Sequence, residues 1–103
     1  MIRTVDLVIA GGCEAALAAA ADALRCGRSV LIVLAGDAVE ARRLRLRLGR
    51  GRNAGNGQVS VTTKAEVVCV DGVDRVEAVV IRYARTGRLR AVNASAFLPC
   101  DAR

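Results

Sequence analysis

Apolar residues form short runs separated by polar turns, and the first two runs are the clearest. Residues 5–10 are almost continuously apolar, which is typical of a central parallel strand that is buried on both faces. Gly11 and Gly12 interrupt the run. Residues 14–26 are rich in Ala and Leu and begin with an acid, which predicts a helix. Residues 29–34 predict a second buried strand, so the chain begins as strand, helix, strand.

A second helix is predicted over residues 38–48, with Asp37 as its N-cap. Arg and Leu alternate over residues 43–48, and this pattern also fits a strand. We favour the helix and keep the strand as the alternative. Residues 49–58 are rich in Gly, Asn and Arg, which predicts a loop.

Short β-rich runs fill the second half of the chain. Turn sequences at Gly72-Val73-Asp74 and Arg85-Thr86-Gly87 separate them, so this half is predicted to be an antiparallel meander. The predicted strands cover residues 59–62, 65–71, 75–84, 88–93 and 96–98. No internal repeat or second domain is visible, so residues 1–103 are expected to form a single α/β domain.

The composition of the chain limits the kinds of molecule that it is expected to bind. The net charge of +6 favours anionic partners, such as a nucleotide, nucleic acid or an acidic protein surface. Tyr83 and Phe97 are the only aromatic residues, which argues against nucleic-acid binding by base stacking. An arginine-rich surface that only faces solvent is the simpler interpretation. The low-charge run over residues 15–24 is much shorter than the ~20 residues of a membrane span, so a cytoplasmic protein without a membrane partner is expected.

The cysteines do not indicate a metal site. Cys13, Cys26, Cys69 and Cys100 are far apart in sequence, and the chain has no histidine. Zinc and iron–sulfur sites usually need closely spaced ligands, and these are absent. Free, buried thiols are therefore the expected state of the cysteines.

Several segments together resemble a known family. The opening strand with its glycine turn, residues 75–82, Thr86-Gly87-Arg88 and residues 93–98 are similar to the NAD(P) domain of thioredoxin-reductase-like, flavin-dependent pyridine-nucleotide oxidoreductases. The start at residues 6–9, so close to Met1, is instead similar to the FAD domain that opens these enzymes. The resemblance implies a Rossmann-like, three-layer domain with a central parallel sheet, a meander and a final strand beside the first. It implies FAD or NAD(P) as the cofactor.

The glycine turn departs from the pattern of a dinucleotide-binding motif. The first glycine of that motif allows a tight turn, the second lets backbone approach the pyrophosphate, and the third lets the helix pack on the strand. Gly11 fills the first position, Cys13 falls in the second, and Ala16 falls in the third, where alanine is tolerated. The candidate pyrophosphate-binding residues are the five from the turn into the helix: Gly11, Gly12, Cys13, Glu14 and Ala15.

A second departure lies at the end of the second strand. An acid about 20 residues after the glycines usually holds the ribose hydroxyls. Leu34 occupies that position, and Asp37 is the nearest acid. The basic residues that would hold a 2′-phosphate fall at Ala35 and Gly36, so the sequence does not support a preference for NADP there. Arg42 and Arg43 are the nearby arginines, either as a phosphate clamp or as solvated charges.

A thiol hypothesis also follows from the resemblance. If the last strand lies beside the first, Cys13 and Cys100 reach the same edge of the sheet. Two unlinked thiols are the simpler expectation. The hypothesis is that they form a redox pair, or a thiol site where a pyrophosphate would otherwise lie, helped by the positive end of the helix that begins at Glu14.

Two functions are favoured over a third, a salt-sensitive association with RNA or DNA through the arginine-rich residues 42–52. The first is a dinucleotide-binding module, for FAD or NAD(P), of a flavin-dependent oxidoreductase that other domains or another protein chain complete. The cofactor would supply the hydride-transfer chemistry, since no side chain here indicates a general base, and whether the chain is itself an enzyme stays open. The alternative is a degenerate Rossmann-like domain that serves as a structural or partner-binding subunit without a cofactor.

Overall fold

The computed structural model describes residues 3–49, 58–72 and 75–99, which form six strands and two helices. In chain order the elements are β1 (Arg3–Ala10), α1 (Glu14–Arg25), β2 (Ser29–Val33), α2 (Ala38–Gly49), β3 (Gln58–Thr62), β4 (Ala65–Asp71), β5 (Ala78–Tyr83) and β6 (Leu89–Pro99). The helix predicted over residues 38–48 is confirmed against the alternative strand. Most of the predicted loop over residues 49–58 lies outside the described residues.

The strands join in one sheet in the order β3-β2-β1-β6-β5-β4. β1 pairs in parallel with β2 on one side and with β6 on the other, and β2 pairs in parallel with β3. β4 pairs antiparallel with β5, and β5 pairs antiparallel with β6. The α/β class, the Rossmann-like parallel sheet, the meander and the final strand beside the first are therefore confirmed.

Three details of the strand prediction were wrong. Residues 59–62 were assigned to the antiparallel half, but β3 is a parallel edge strand because α2 carries the chain back to the sheet end where β2 began. Residues 88–93 and 96–98 belong to one strand, because exposed Asn93 and Ser95 flank the buried Ala94 and continue the alternation. β5 begins at Ala78, because the N–H of Glu77 bonds to Asp71 in a turn.

Both faces of the parallel strands are covered, which explains their continuous apolar runs. One face packs against the helices through Ile9, Ala16, Leu17, Ala20, Val30, Ile32, Leu34, Ala41 and Leu44. The other face packs against the meander through Val5, Val8, Leu31, Val33, Ala65, Val79, Ile81, Val92 and Ala94. The three layers are the helices, the parallel strands, and the antiparallel strands β4 and β5, which belong to the same sheet and cover its second face.

Small side chains bring α1 close to the sheet. Ala16 and Ala20 are 2% and 0% exposed, and they lie on the face of α1 that contacts the core. Ala16 thus performs the packing role that the third motif position requires.

Asp6 of β1 and Ser29, the first residue of β2, exchange hydrogen bonds between backbone and side chain. The N–H of Asp6 donates to Ser29 Oγ at 3.0 Å, and the N–H of Ser29 donates to Asp6 Oδ2 at 2.8 Å. This reciprocal pair lies next to the start of the parallel ladder, where Leu7 pairs with Val30. It therefore favours the observed register of the two strands.

Candidate functional site

The carboxyl ends of three parallel strands meet at one edge of the sheet. Ala10 at the end of β1 is paired with Val33 of β2 and with Pro99 of β6. Open α/β sheets bind ligands in the crevice beyond such an edge, where neighbouring connections leave in different directions. This edge of the sheet is therefore the candidate ligand-binding site.

Gly11 makes the tight turn that follows β1. Its φ is 111°, a conformation that L residues rarely adopt, and its N–H donates to the carbonyl of Val33 at 2.9 Å. The turn is therefore locked to β2 by a backbone hydrogen bond. Gly11 shapes the edge of the sheet, while its own N–H is engaged within the fold.

Gly12 permits close packing between the turn and α2. A Cβ at this position would lie 3.0 Å from Leu44 Cδ1 and 3.6 Å from Leu34 Cδ2. A side chain at this position would force the buried Leu44 to shift by a few tenths of an ångström, so glycine favours the packing on the helix side.

Cys13 is the N-cap of α1 and has an extended backbone, with φ of −72° and ψ of 167°. The strain that a positive φ would impose on a side chain at the second motif position does not arise. Its side chain packs beside the helix-face core, and its carbonyl accepts the N–H of Leu17 at 3.0 Å. The first turn of α1, with Glu14 and Ala15, directs backbone N–H groups and the positive end of the helix dipole toward this edge.

The cysteines differ in part from the expectation of free, buried thiols. Cys26 and Cys69 are free but exposed, and Cys13 is disulfide-bonded. The hypothesis of a Cys13–Cys100 redox pair involves Cys100, which lies outside the described residues. Among residues 3–49, 58–72 and 75–99, no cluster of Cys, Asp and Glu is placed to hold a metal ion.

A buried apolar side chain lies at the end of β2, at the position where an acid that binds the ribose is expected. Leu34 is 1% exposed and belongs to the helix-face core. Asp37 caps α2, since its Oδ1 accepts the N–H of Val39 at 3.1 Å and that of Glu40 at 3.4 Å. The N-cap prediction for Asp37 is thereby confirmed, and one of its carboxylate oxygens is engaged with the backbone.

Glu40 is a candidate that the sequence reasoning missed. Its Oε1 lies 3.9 Å from the Cβ position at Gly12, and a Cβ on Gly36 would collide with its Oε2. The carboxylate of Glu40 therefore lies between the glycine turn and the loop after β2. The sequence held one signal for it, because Asp37 and Glu40 have the spacing of a capping box, which directs the later acid back toward the start of the helix.

A cleft of about 510 Å³, called the edge cleft below, opens at the same edge on the meander side. Its walls are the strand ends and most of β4: Ala10, Gly11, Val33, Ala35, Ala65, Glu66, Val67, Val68, Cys69, Val70, Phe97 and Pro99. The volume and the mainly apolar lining are in the range of small-molecule and cofactor sites.

Cys69 is the thiol in the wall of the edge cleft. Its Sγ lies 3.3 Å from Asp71 Oδ1, and this hydrogen bond, with the negative charge of Asp71, raises the pKa of the thiol. The raised pKa lowers the thiolate fraction of Cys69 below that of an ordinary thiol, so Cys69 is a weak nucleophile.

The two arginines that were candidates for a phosphate clamp do not line the edge cleft. Arg42 and Arg43 are exposed on α2, between the buried residues Ala41 and Leu44. No helix in the described part of the chain is long and apolar enough to cross a membrane.

Comparison with known proteins relates the chain to others by structure. No protein-family profile matches it, and neither does any curated protein. A thioredoxin reductase from Streptococcus pyogenes is 22% identical with a TM-score of 0.70, and the match covers 98% of this chain and 32% of that protein. A myxobacterial chondrochloren halogenase, an FAD-dependent enzyme, is 13% identical with a TM-score of 0.71, over 96% of this chain and 37% of the halogenase.

A flavin-dependent monooxygenase, solved in complex with FAD and substrate, is 16% identical with a TM-score of 0.61. That match covers 91% of this chain and 29% of the monooxygenase. The chain thus spans about a third of the length of these proteins. At these identities the comparisons establish the fold: a Rossmann-like α/β domain of the kind found in flavin-dependent oxidoreductases and halogenases.

Proposed function

We propose that the chain is a dinucleotide-binding module, for FAD or NAD(P), of a flavin-dependent oxidoreductase. The edge cleft carries the proposal, because it opens beside Gly11 at the carboxyl ends of β1, β2 and β6. Apolar walls of this kind suit a flat aromatic base or ring. The structural similarity to FAD-dependent enzymes supports the choice of ligand class.

The residues at the carboxyl ends of the parallel strands, on both faces of the sheet, fit a dinucleotide in three respects. The Gly11 turn keeps side-chain bulk away from the edge, and the first turn of α1 favours the negative charge of a pyrophosphate. The Glu40 carboxylate lies where an acceptor for ribose hydroxyls is needed, although it comes from α2 rather than from the end of β2. The bound cofactor would supply hydride transfer, and this chain would bind and orient it.

Two observations favour the alternative of a degenerate domain without a cofactor. The N–H of Gly11 is already bonded to Val33, and a cysteine side chain rather than hydrogen stands at Cys13. Both reduce the number of backbone donors that a pyrophosphate can approach. In this alternative the chain would serve as a structural or partner-binding subunit.

An absorption spectrum and a thermal-shift panel separate the two functions. Flavin that remains bound through purification gives a yellow protein. If the protein is colourless, FAD, NAD, NADP and ADP are tested in turn. A ligand at ~100 times its dissociation constant stabilises the fold by roughly 2.7 kcal/mol, which for a domain of this size corresponds to a rise in Tm of roughly 10 °C or more. A colourless protein that responds to none of them supports the degenerate domain.

A further inference from the structure

Cys13 forms a disulfide at the position of the glycine turn that a pyrophosphate is expected to approach. The chain has four cysteines, and two of the others, Cys26 and Cys69, are free thiols. A disulfide within the chain therefore leaves Cys100 as the partner of Cys13. The bond joins residues that are far apart in the sequence.

The two bonded cysteines follow strand ends that border the edge cleft. Cys13 is two residues beyond Gly11, and Cys100 is the residue after Pro99. Gly11 and Pro99 both line the edge cleft, and Pro99 is paired with Ala10 in the β1–β6 ladder. The disulfide therefore ties the turn after β1 to the segment after β6, at the carboxyl edge of the sheet.

A cross-link at this place opposes the binding of a pyrophosphate. The N–H of Gly11 already donates to Val33, so the backbone donors left for an anion are those in the first turn of α1. Cys13 is the N-cap of α1, immediately before that turn. While the disulfide is intact, a second residue is held at the N-cap, and this restricts access to the donors.

We propose that the Cys13 disulfide is a redox switch on the candidate dinucleotide site. The oxidised protein binds the pyrophosphate weakly, and reduction of the disulfide by a dithiol opens the site. The inference rests on the proposed function, and it adds regulation to the same site. In this role the two cysteines control binding and pass no electrons to the cofactor.

The helix end that would bind the anion also favours reduction of the disulfide. The positive end of the dipole of α1 stabilises a thiolate at its N-cap, and a better stabilised thiolate leaves faster in thiol–disulfide exchange. The first thiolate of the dithiol attacks Sγ of Cys100, the S–S bond breaks, and Cys13 leaves as a thiolate that takes a proton from water. The second thiolate then displaces Cys100. The dithiol leaves as its own disulfide, and its two electrons and two protons are balanced by two cysteine thiols.

Isothermal titration calorimetry with ADP compares the two redox states of the parent protein. ADP carries a diphosphate and has no redox-active ring, so the reductant leaves it unchanged. Coupling between linked sites is typically roughly 5–150-fold, and we expect the Kd for ADP to fall by about tenfold on reduction with dithiothreitol. In protein purified without reductant, a thiol assay should count two thiols per chain before reduction and four after it.

Cysteine variants separate the disulfide from other effects of the reductant. Cys100→Ser removes the disulfide and should bind ADP without reductant as tightly as the reduced parent does. Cys26→Ser is the matched control, because Cys26 is an exposed free thiol at the far end of α1. It should keep the full difference between the oxidised and reduced states.

The midpoint potential of the disulfide is an independent readout, which also serves if Cys100→Ser fails to fold. Binding and reduction are linked, so a ligand that binds the reduced state tenfold more tightly makes the disulfide tenfold easier to reduce. Saturating ADP should therefore make the potential less negative by about 30 mV. A disulfide that only stabilises the fold would show no such shift.

The outcomes distinguish the switch from the proposed function. Equal ADP affinity in the two redox states, or four thiols before reduction, would overturn the switch and leave nucleotide binding standing. Tighter binding by the oxidised protein would show that the disulfide builds the site, which contradicts the proposal. Failure of both states to bind ADP, FAD and NAD would overturn the proposed function as well.

Discussion

Replacing Glu40 with Gln tests whether this acid acts in place of the missing acid at the end of β2. The carboxylate lies beside the Cβ positions of Gly12 and Gly36, between the two loops that border the candidate site. Gln keeps the length and shape of the side chain and removes its charge. The substitution therefore changes the electrostatics of the site with little change in packing.

The magnitude follows from the type of hydrogen bond that is lost. A hydrogen bond to a charged group contributes about 1.5–3 kcal/mol, and each 1.4 kcal/mol is tenfold in affinity. Glu40 is exposed, so water competes for its carboxylate and the lower end of the range applies. We expect the Kd for the dinucleotide to rise about tenfold. The unfolding free energy should fall by less than ~1 kcal/mol, the contribution of an acid in the first turn of a helix.

Isothermal titration calorimetry gives the Kd, and urea unfolding gives the stability. Glu77→Gln is the control, because Glu77 is exposed and does not line the edge cleft. It should leave the Kd unchanged. An unchanged or tighter Kd for Glu40→Gln refutes the reasoning, because a carboxylate that repels the phosphates would produce that result.

Three further predictions concern the fold and the cleft wall. Asp6→Ala removes the acceptor of the Ser29 N–H and should lower the unfolding free energy by about 1 kcal/mol in urea; an unchanged midpoint contradicts this. Gly11→Ala places a side chain at a φ of 111° and should cost about 1–3 kcal/mol, and equal stability by the same method would show that the turn relaxes. Asp71→Asn should lower the pKa of Cys69 and enlarge its thiolate fraction near pH 8, so alkylation at that peptide should be faster; slower or equal alkylation contradicts the role of Asp71.

Much of the fold could be predicted because local patterns and the global topology agree. The apolar runs of β1 and β2 and the alanine-rich α1 each indicate one structure, and each forms it. The errors in the strand prediction arose where pairing between strands, rather than the local sequence, determines the structure. β3 is parallel because of the crossover through α2, and a five-residue run contains no information on the direction of its partner.

The candidate site could be predicted only along the first strand and turn. Gly11 lies at the cleft because the turn is local to the sequence. Glu40 comes beside the glycine turn through the packing of α2. Those contacts depend on tertiary structure, so spacing from the glycine motif could not reveal them.

The central claim is that the edge cleft binds a dinucleotide, and a variant that fills the cleft tests it most directly. Ala35 is exposed and lines the edge cleft, whereas Ala91 is exposed on β6 and does not. Calorimetry should show one FAD or NAD(P) bound per chain of the parent protein, loss of that binding in Ala35→Trp, and its retention in Ala91→Trp. Absence of binding to the parent, or equal binding to Ala35→Trp, would contradict the claim.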